Sequence, residues 1–143
     1  MTVQLIRWPR LLLLLMFCCS SCKVNLLPSY SQEIAAQIDT VTKDIDRLYL
    51  MILEKSSSQR VYDNYAERYI DIEVELSSLY KKNKLREKNI ETTRNFEIAL
   101  EKWQGYRKDH KEKKILTDGV IKLNRKFMAD ILFAIQLTES TKQ

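Results

Sequence analysis

Apolar residues recur along this chain at steps of three and four, the spacing that lines one face of an α-helix. From residue 31 to about 55 they are Ile34, Ile38, Val41, Ile45, Leu48 and Ile52. From about 59 to 83 they are Tyr62, Tyr65, Tyr69, Ile72, Leu76 and Leu79. Both runs hold a clean seven-residue pattern. A third stretch, about 90–113, is more polar, with Phe96, Leu100 and Trp103 carrying its stripe. A fourth, about 118–140, presents Val120, Leu123, Phe127, Ile131 and Ala134 as its expected inward set. Between Phe127 and Leu137 only Asp130 and Gln136 are polar. This last helix is therefore expected at the centre of its bundle, or against a partner as well. Asp130, if buried there, would need a basic or hydroxyl neighbour.

The punctuation between these runs fits four helices. Ser29 or Ser31 can cap the first, Ser58 the second, Asn89 the third and Thr117 the fourth, each offering a side-chain oxygen to unpaired backbone N–H groups. The whole chain has two glycines and two prolines, and a shortage of breakers favours continuous helix. Short connections force sequential helices to lie antiparallel. The predicted fold is all-α: an antiparallel up-down four-helix bundle after an N-terminal signal segment. Its weakest boundary is residues 83–89, where the second and third helices could fuse into one rod.

The first 22 residues follow a different rule. Arg7 and Arg10 precede an apolar run from Leu11 to Cys19, and Ser20-Ser21-Cys22 follows it. A charged start, a short apolar core and small residues before a cut are the order of an export signal. Nine apolar residues at about 1.5 Å each cannot cross a hydrocarbon core of roughly 30 Å, so a retained span is not expected. The segment resembles the signal of bacterial lipoproteins, whose lipobox places small residues before a cysteine; Cys19 stands where that family usually has Leu. The resemblance implies cleavage before Cys22 and a covalent lipid on Cys22 as the only attached group, with no other cofactor. It divides the chain into a signal at 1–21, a lipidated cysteine and tether at 22–29, and a bundle at 30–143. Lys23 rather than Asp after the cysteine implies the outer membrane in a Gram-negative cell, facing the periplasm.

The remaining chemistry is sparse. All three cysteines lie at 18, 19 and 22, so a mature chain would have neither a disulfide nor a thiol nucleophile. The lone histidine, His110, sits among lysines and reads as a solvated surface residue. No Glu-x-x-His pair suits a di-metal bundle site, and two glycines could hardly build a phosphate loop. Catalytic and metal-binding residues are therefore not expected, and the chain does not read as an enzyme. Acidic residues outnumber basic ones across 30–80, and the reverse holds across 81–143, which suggests attraction between the two hairpins. Lys81, Lys82, Lys84, Arg86 and Lys88 form a basic group that the short tether would hold beside anionic headgroups.

Antiparallel geometry gathers aromatic and basic residues at the end far from the anchor. The candidate binding residues are Tyr62, Tyr65, Tyr69, Trp103, Tyr106, Arg107 and Lys111, because rings with polar tips and cationic neighbours suit an interface. The same tyrosines occupy core-facing heptad positions, and lysines at a helix end also answer its dipole. The expected function is a membrane-anchored, non-enzymatic binding or adaptor module of the bacterial envelope, with an envelope protein as partner. The alternative is a structural or self-associating envelope lipoprotein, a homo-oligomer similar in kind to the murein lipoprotein. Export argues against a nucleic-acid partner.

Overall fold

A computed structural model describes residues 28–142, and four helices account for most of these described residues. The expected signal segment and the expected lipidation site, Cys22, lie outside the described residues. Helix α1 spans Gln32–Leu53, and Ser31 caps it by accepting a hydrogen bond from the Ile34 N–H at 3.3 Å. It buries the expected stripe with Tyr49 added. Helix α2 spans Ala66–Lys84, α3 Ile90–Lys113 and α4 Asp118–Ser140. Thr117 caps α4 through the Val120 N–H.

Cross-helix pairs establish the antiparallel order. Glu33, early in α1, meets Lys82 late in α2 at 2.7 Å, and Glu73 in α2 meets Arg107 in α3 at 2.7 Å. Asp46 in α1 takes both Nε and Nη2 of Arg125, early in α4. Lys142, just past α4, reaches Thr92 at the start of α3. Each helix thus packs on its two sequence neighbours, with α4 closing back onto α1. The buried interior runs from Ile34 to Ile135. Among the described residues no helix is long and apolar enough to cross a membrane.

Three expectations fail locally, each for a physical reason. The second helix begins at Ala66 rather than 59, and short 3-10 turns at Ser57–Gln59 and Tyr62–Asn64 replace its predicted first turns. A helix through 59–65 would pair the Arg60 carbonyl with the Asn64 N–H. Here the Asn64 N–H bonds to the Val61 carbonyl, and the Arg60 carbonyl accepts from His110 instead. Ser58 consequently caps nothing in α2.

Helix α3 begins where expected, but Asn89 makes no side-chain cap. Its amide donates to Asn83 Oδ1 at 2.6 Å, and its oxygen accepts from Lys142 at 2.8 Å. The break before it is genuine, because Lys88 turns the chain with a φ of 58°.

Helix α4 faces inward one step round from the predicted set. Ile121, Asn124, Met128, Leu132, Ile135 and Glu139 are buried. Val120, Phe127 and Ile131 are only partly covered, while Leu123 and Ala134 are exposed. A helix apolar nearly all round has no periodicity that selects a face. The orientation observed sets Glu139 against two cations and leaves Asp130 in water, paired with Lys126.

Candidate functional site

The end of the bundle where α1, α3 and the start of α4 meet collects the aromatic residues singled out from the sequence. Tyr69 and Trp103 lie with ring centroids 5.1 Å apart, and the Trp103 indole N–H donates to the Tyr69 carbonyl at 2.9 Å. Tyr49 meets Trp103 edge-on at 5.9 Å, and Tyr62 stacks on Tyr69 at 5.8 Å. All four rings, and Tyr65 with them, are buried. The tyrosine–tryptophan group is therefore brought together, but as interior rather than as an exposed recognition face. Desolvation pushes the Tyr49 and Tyr69 hydroxyls above their ordinary pKa.

His110 is the centre of this arrangement. The expectation of a solvated histidine is overturned: its ring has no exposure. It lies between Tyr62, Tyr65 and Tyr69, with centroids 5.7, 6.2 and 5.6 Å away. Nε2 is 2.8 Å from the Arg60 carbonyl, which can only accept, so Nε2 carries the proton. Nδ1 is then the acceptor for the Tyr69 hydroxyl at 3.2 Å. Burial holds the imidazole pKa below its ordinary value, outweighing the bond to the Arg60 carbonyl, which favours the charged form. A neutral ring with both nitrogens engaged has no lone pair free for a substrate.

Arg60 ties the same end together. Its Nε donates to the Lys55 carbonyl at 2.8 Å and Nη2 to the Leu53 carbonyl at 3.2 Å, closing the C-terminal end of α1. Nη1 reaches the Leu116 carbonyl and Asp118, whose carboxyl it holds below the usual range. Arg107 donates to the Tyr62 hydroxyl at 3.1 Å and to Glu73, and those bonds raise its own pKa. Tyr106 is partly exposed and meets Phe127 edge-on at 6.3 Å, while Lys111 is solvent-exposed. Of the seven candidates, only Tyr106, Arg107 and Lys111 are not buried.

A second polar cluster locks the opposite end. Glu139 is fully buried and accepts from Arg86 through both oxygens, at 2.9 and 3.0 Å. It also accepts from Lys142 at 2.6 Å and from the Ser31 backbone N–H at 3.0 Å. Desolvation drives this carboxyl up, but the bonds from Arg86, Lys142 and Ser31 outweigh it and leave its pKa below the ordinary value. Arg86 further contacts the Ser29 carbonyl and Asn83. The segment leading into α1, the α2–α3 turn and the end of α4 are thus joined through one carboxylate. Nothing in the spacing pointed to Arg60. For Glu139 the only available signal was that it continues the 128, 132, 135 step.

Leu123, Phe133 and Leu137 are 67%, 67% and 55% exposed on the outside of α4, with the exposed Lys126–Asp130 pair between Leu123 and the other two. Among the described residues no group of three or more His, Cys, Asp or Glu could hold a metal ion. Comparison with protein-family models, with curated proteins and with solved structures returned no match to this chain.

Proposed function

We propose that this chain is a lipid-anchored helical lipoprotein of the bacterial cell envelope whose bundle acts as a non-enzymatic binding module for another envelope protein. The observation that carries the binding reading is the exposure of Leu123, Phe133 and Leu137 on the outside of α4. Three large side chains held in water on the outside of a bundle that has already filled its interior are the kind of surface a partner covers. The anchor reading rests on the order Leu11 to Cys22 and on the short distance from Cys22 to Pro28. Labelled palmitate supplied to cells should enter the wild-type chain and be absent from Cys22→Ala. Equal labelling of the two removes the anchor.

The binding surface moves from the aromatic end to α4. Tyr65→Ala or Trp103→Ala would test the fold, because both side chains are interior. A photo-reactive residue at Phe133 should cross-link a heterologous envelope protein, and one at exposed Lys111 should not. Self-association through α4 is the second reading, favoured by the same exposed residues. Light scattering separates the two: a dimer that Phe133→Glu converts to monomer supports self-association and counts against the adaptor.

A further inference from the structure

We infer that the turn between α2 and α3 is itself a membrane-contacting element, in which Leu85 and Ile90 seat in the interfacial layer of a lipid surface beneath the bundle. This deepens the lipoprotein reading and takes its orientation from it. Leu85 closes the C-terminal end of α2 and Ile90 opens α3, and they are 86% and 83% exposed. No other large apolar side chains among the described residues are so fully in water. Both flank the α2–α3 turn at one end of the bundle, and Leu85 also borders a groove along α2 with Val74 and Lys81.

Three observations select a lipid surface as the occupant. The chain enters the bundle at this same tip: Pro28 lines a shallow hollow together with Lys88, Asn89, Ile90, Thr138 and Lys142. The six steps of chain from Cys22 to Pro28 extend to at most about 22 Å, so an acyl group on Cys22 keeps the tip close to the bilayer. The tip is also held square to its root, because Arg86 contacts the Ser29 carbonyl and shares Glu139 with the Ser31 N–H. Charge supports the same orientation. Lys81, Lys84 and Lys88 flank the two apolar residues and are exposed, and Lys82 and Arg86 on the same turn pair with Glu33 and Glu139. Glu87 and Glu91 stand on the same turn, so the positive excess is small and the apolar pair must supply most of the attachment.

Brominated lipids read this contact directly. The full chain isolated from its membrane is reconstituted in vesicles of phosphatidylcholine and phosphatidylglycerol with brominated acyl chains, carrying Leu85→Trp, Ile90→Trp or, as a distal control, Ile115→Trp. Ile115 follows α3 at its far end, so a helix of 24 residues, about 36 Å long, separates it from Ile90. Trp103 is buried and common to all three. Bromine should remove roughly half of the added emission at 85 and 90, consistent with seating about 5–10 Å into the boundary, and little at 115. Quenching at 85 and 90 no greater than at 115 overturns the inference. Mass measurement of the same samples reads acylation independently. An acylated chain without quenching refutes this contact alone, whereas quenching with an unmodified Cys22 upholds the contact and refutes the anchor.

Discussion

His110 gives the sharpest test, because its burial is where the tertiary structure departs most from surface chemistry. Replacement by Ala would remove a ring packed against three tyrosines and leave both the Arg60 carbonyl and the Tyr69 hydroxyl without their partner. Each unsatisfied buried group costs about 1–3 kcal/mol, and truncating a buried ring costs about 3–5 kcal/mol. These overlap, so His110→Ala is expected to lose about 4 kcal/mol in urea unfolding followed by circular dichroism. The charge effect is separate. Burial holds the folded-state imidazole pKa below the ordinary 6.5, so the stability its neutral form contributes is fully present above pH 6.5. Below that the unfolded chain takes up a proton that the folded chain refuses, and stability falls with pH, with a slope approaching about 1.4 kcal/mol per unit. The loss continues until pH passes the folded-state value. Glu139 and Asp118, held below the ordinary carboxyl range, act only at lower pH. His110→Gln should therefore flatten the profile between pH 6.5 and 5. If wild-type stability is flat across that window, or the variant keeps the slope, the neutral buried imidazole is refuted. An imidazole titrating at 6.5 or above by nuclear magnetic resonance would refute it too.

Glu139→Gln leaves Arg86 and the nearly inaccessible Lys142 without their counter-ion, and breaking a buried pair this way is expected to cost about 3 kcal/mol in denaturant midpoint experiments. The wild-type carboxylate's contribution should be fully present above pH 4.5 and disappear as pH drops through its lower folded value, so acid unfolding should begin at higher pH in any variant lacking it. Tyr49→Phe should raise stability by about 1 kcal/mol, because the Tyr49 hydroxyl is buried without a hydrogen bond. Asn124 acts on that hydroxyl without reaching bonding geometry; a measured loss would show that the two do bond. Lys114→Gly should stabilise by about 0.5 kcal/mol, since Lys114 ends α3 at a φ of 64° where a side chain is strained, and calorimetry would read the higher Tm.

Much of this protein is written in short-range pattern. The spacing of apolar residues is a property of the helix repeat itself, so α1, α3 and α4 begin and end within a few residues of where the pattern puts them. Ser31 and Thr117 cap their helices because a cap needs only its own side chain and the next turn. Alternation of helix direction follows from connection length, and it gathers the aromatic rings at one end before any contact is known. What each side chain then does is a different matter. Whether Tyr69 and Trp103 face water or each other depends on which helix stands opposite. A heptad supplies an inward face, but it does not distinguish core packing from a binding surface.

The features decided by tertiary structure are those involving groups far apart in the chain. His110 lies within a lysine run, and its burial is made tolerable by the Arg60 carbonyl, 50 residues earlier, and the Tyr69 hydroxyl, 41 residues earlier. The bond to the Arg60 carbonyl breaks the helix that the tyrosine pattern implies, because a carbonyl aimed at an imidazole is lost to its own ladder. Arg86 and Glu139 meet across 53 residues and, with Lys142, fix which face of α4 turns inward, a choice that near-uniform apolarity leaves undecided. Periodicity reports how a segment prefers to coil and which residues share a side. Desolvation, charge pairing and the exposure of Leu85, Ile90 and Phe133 depend on neighbours that chain closure supplies.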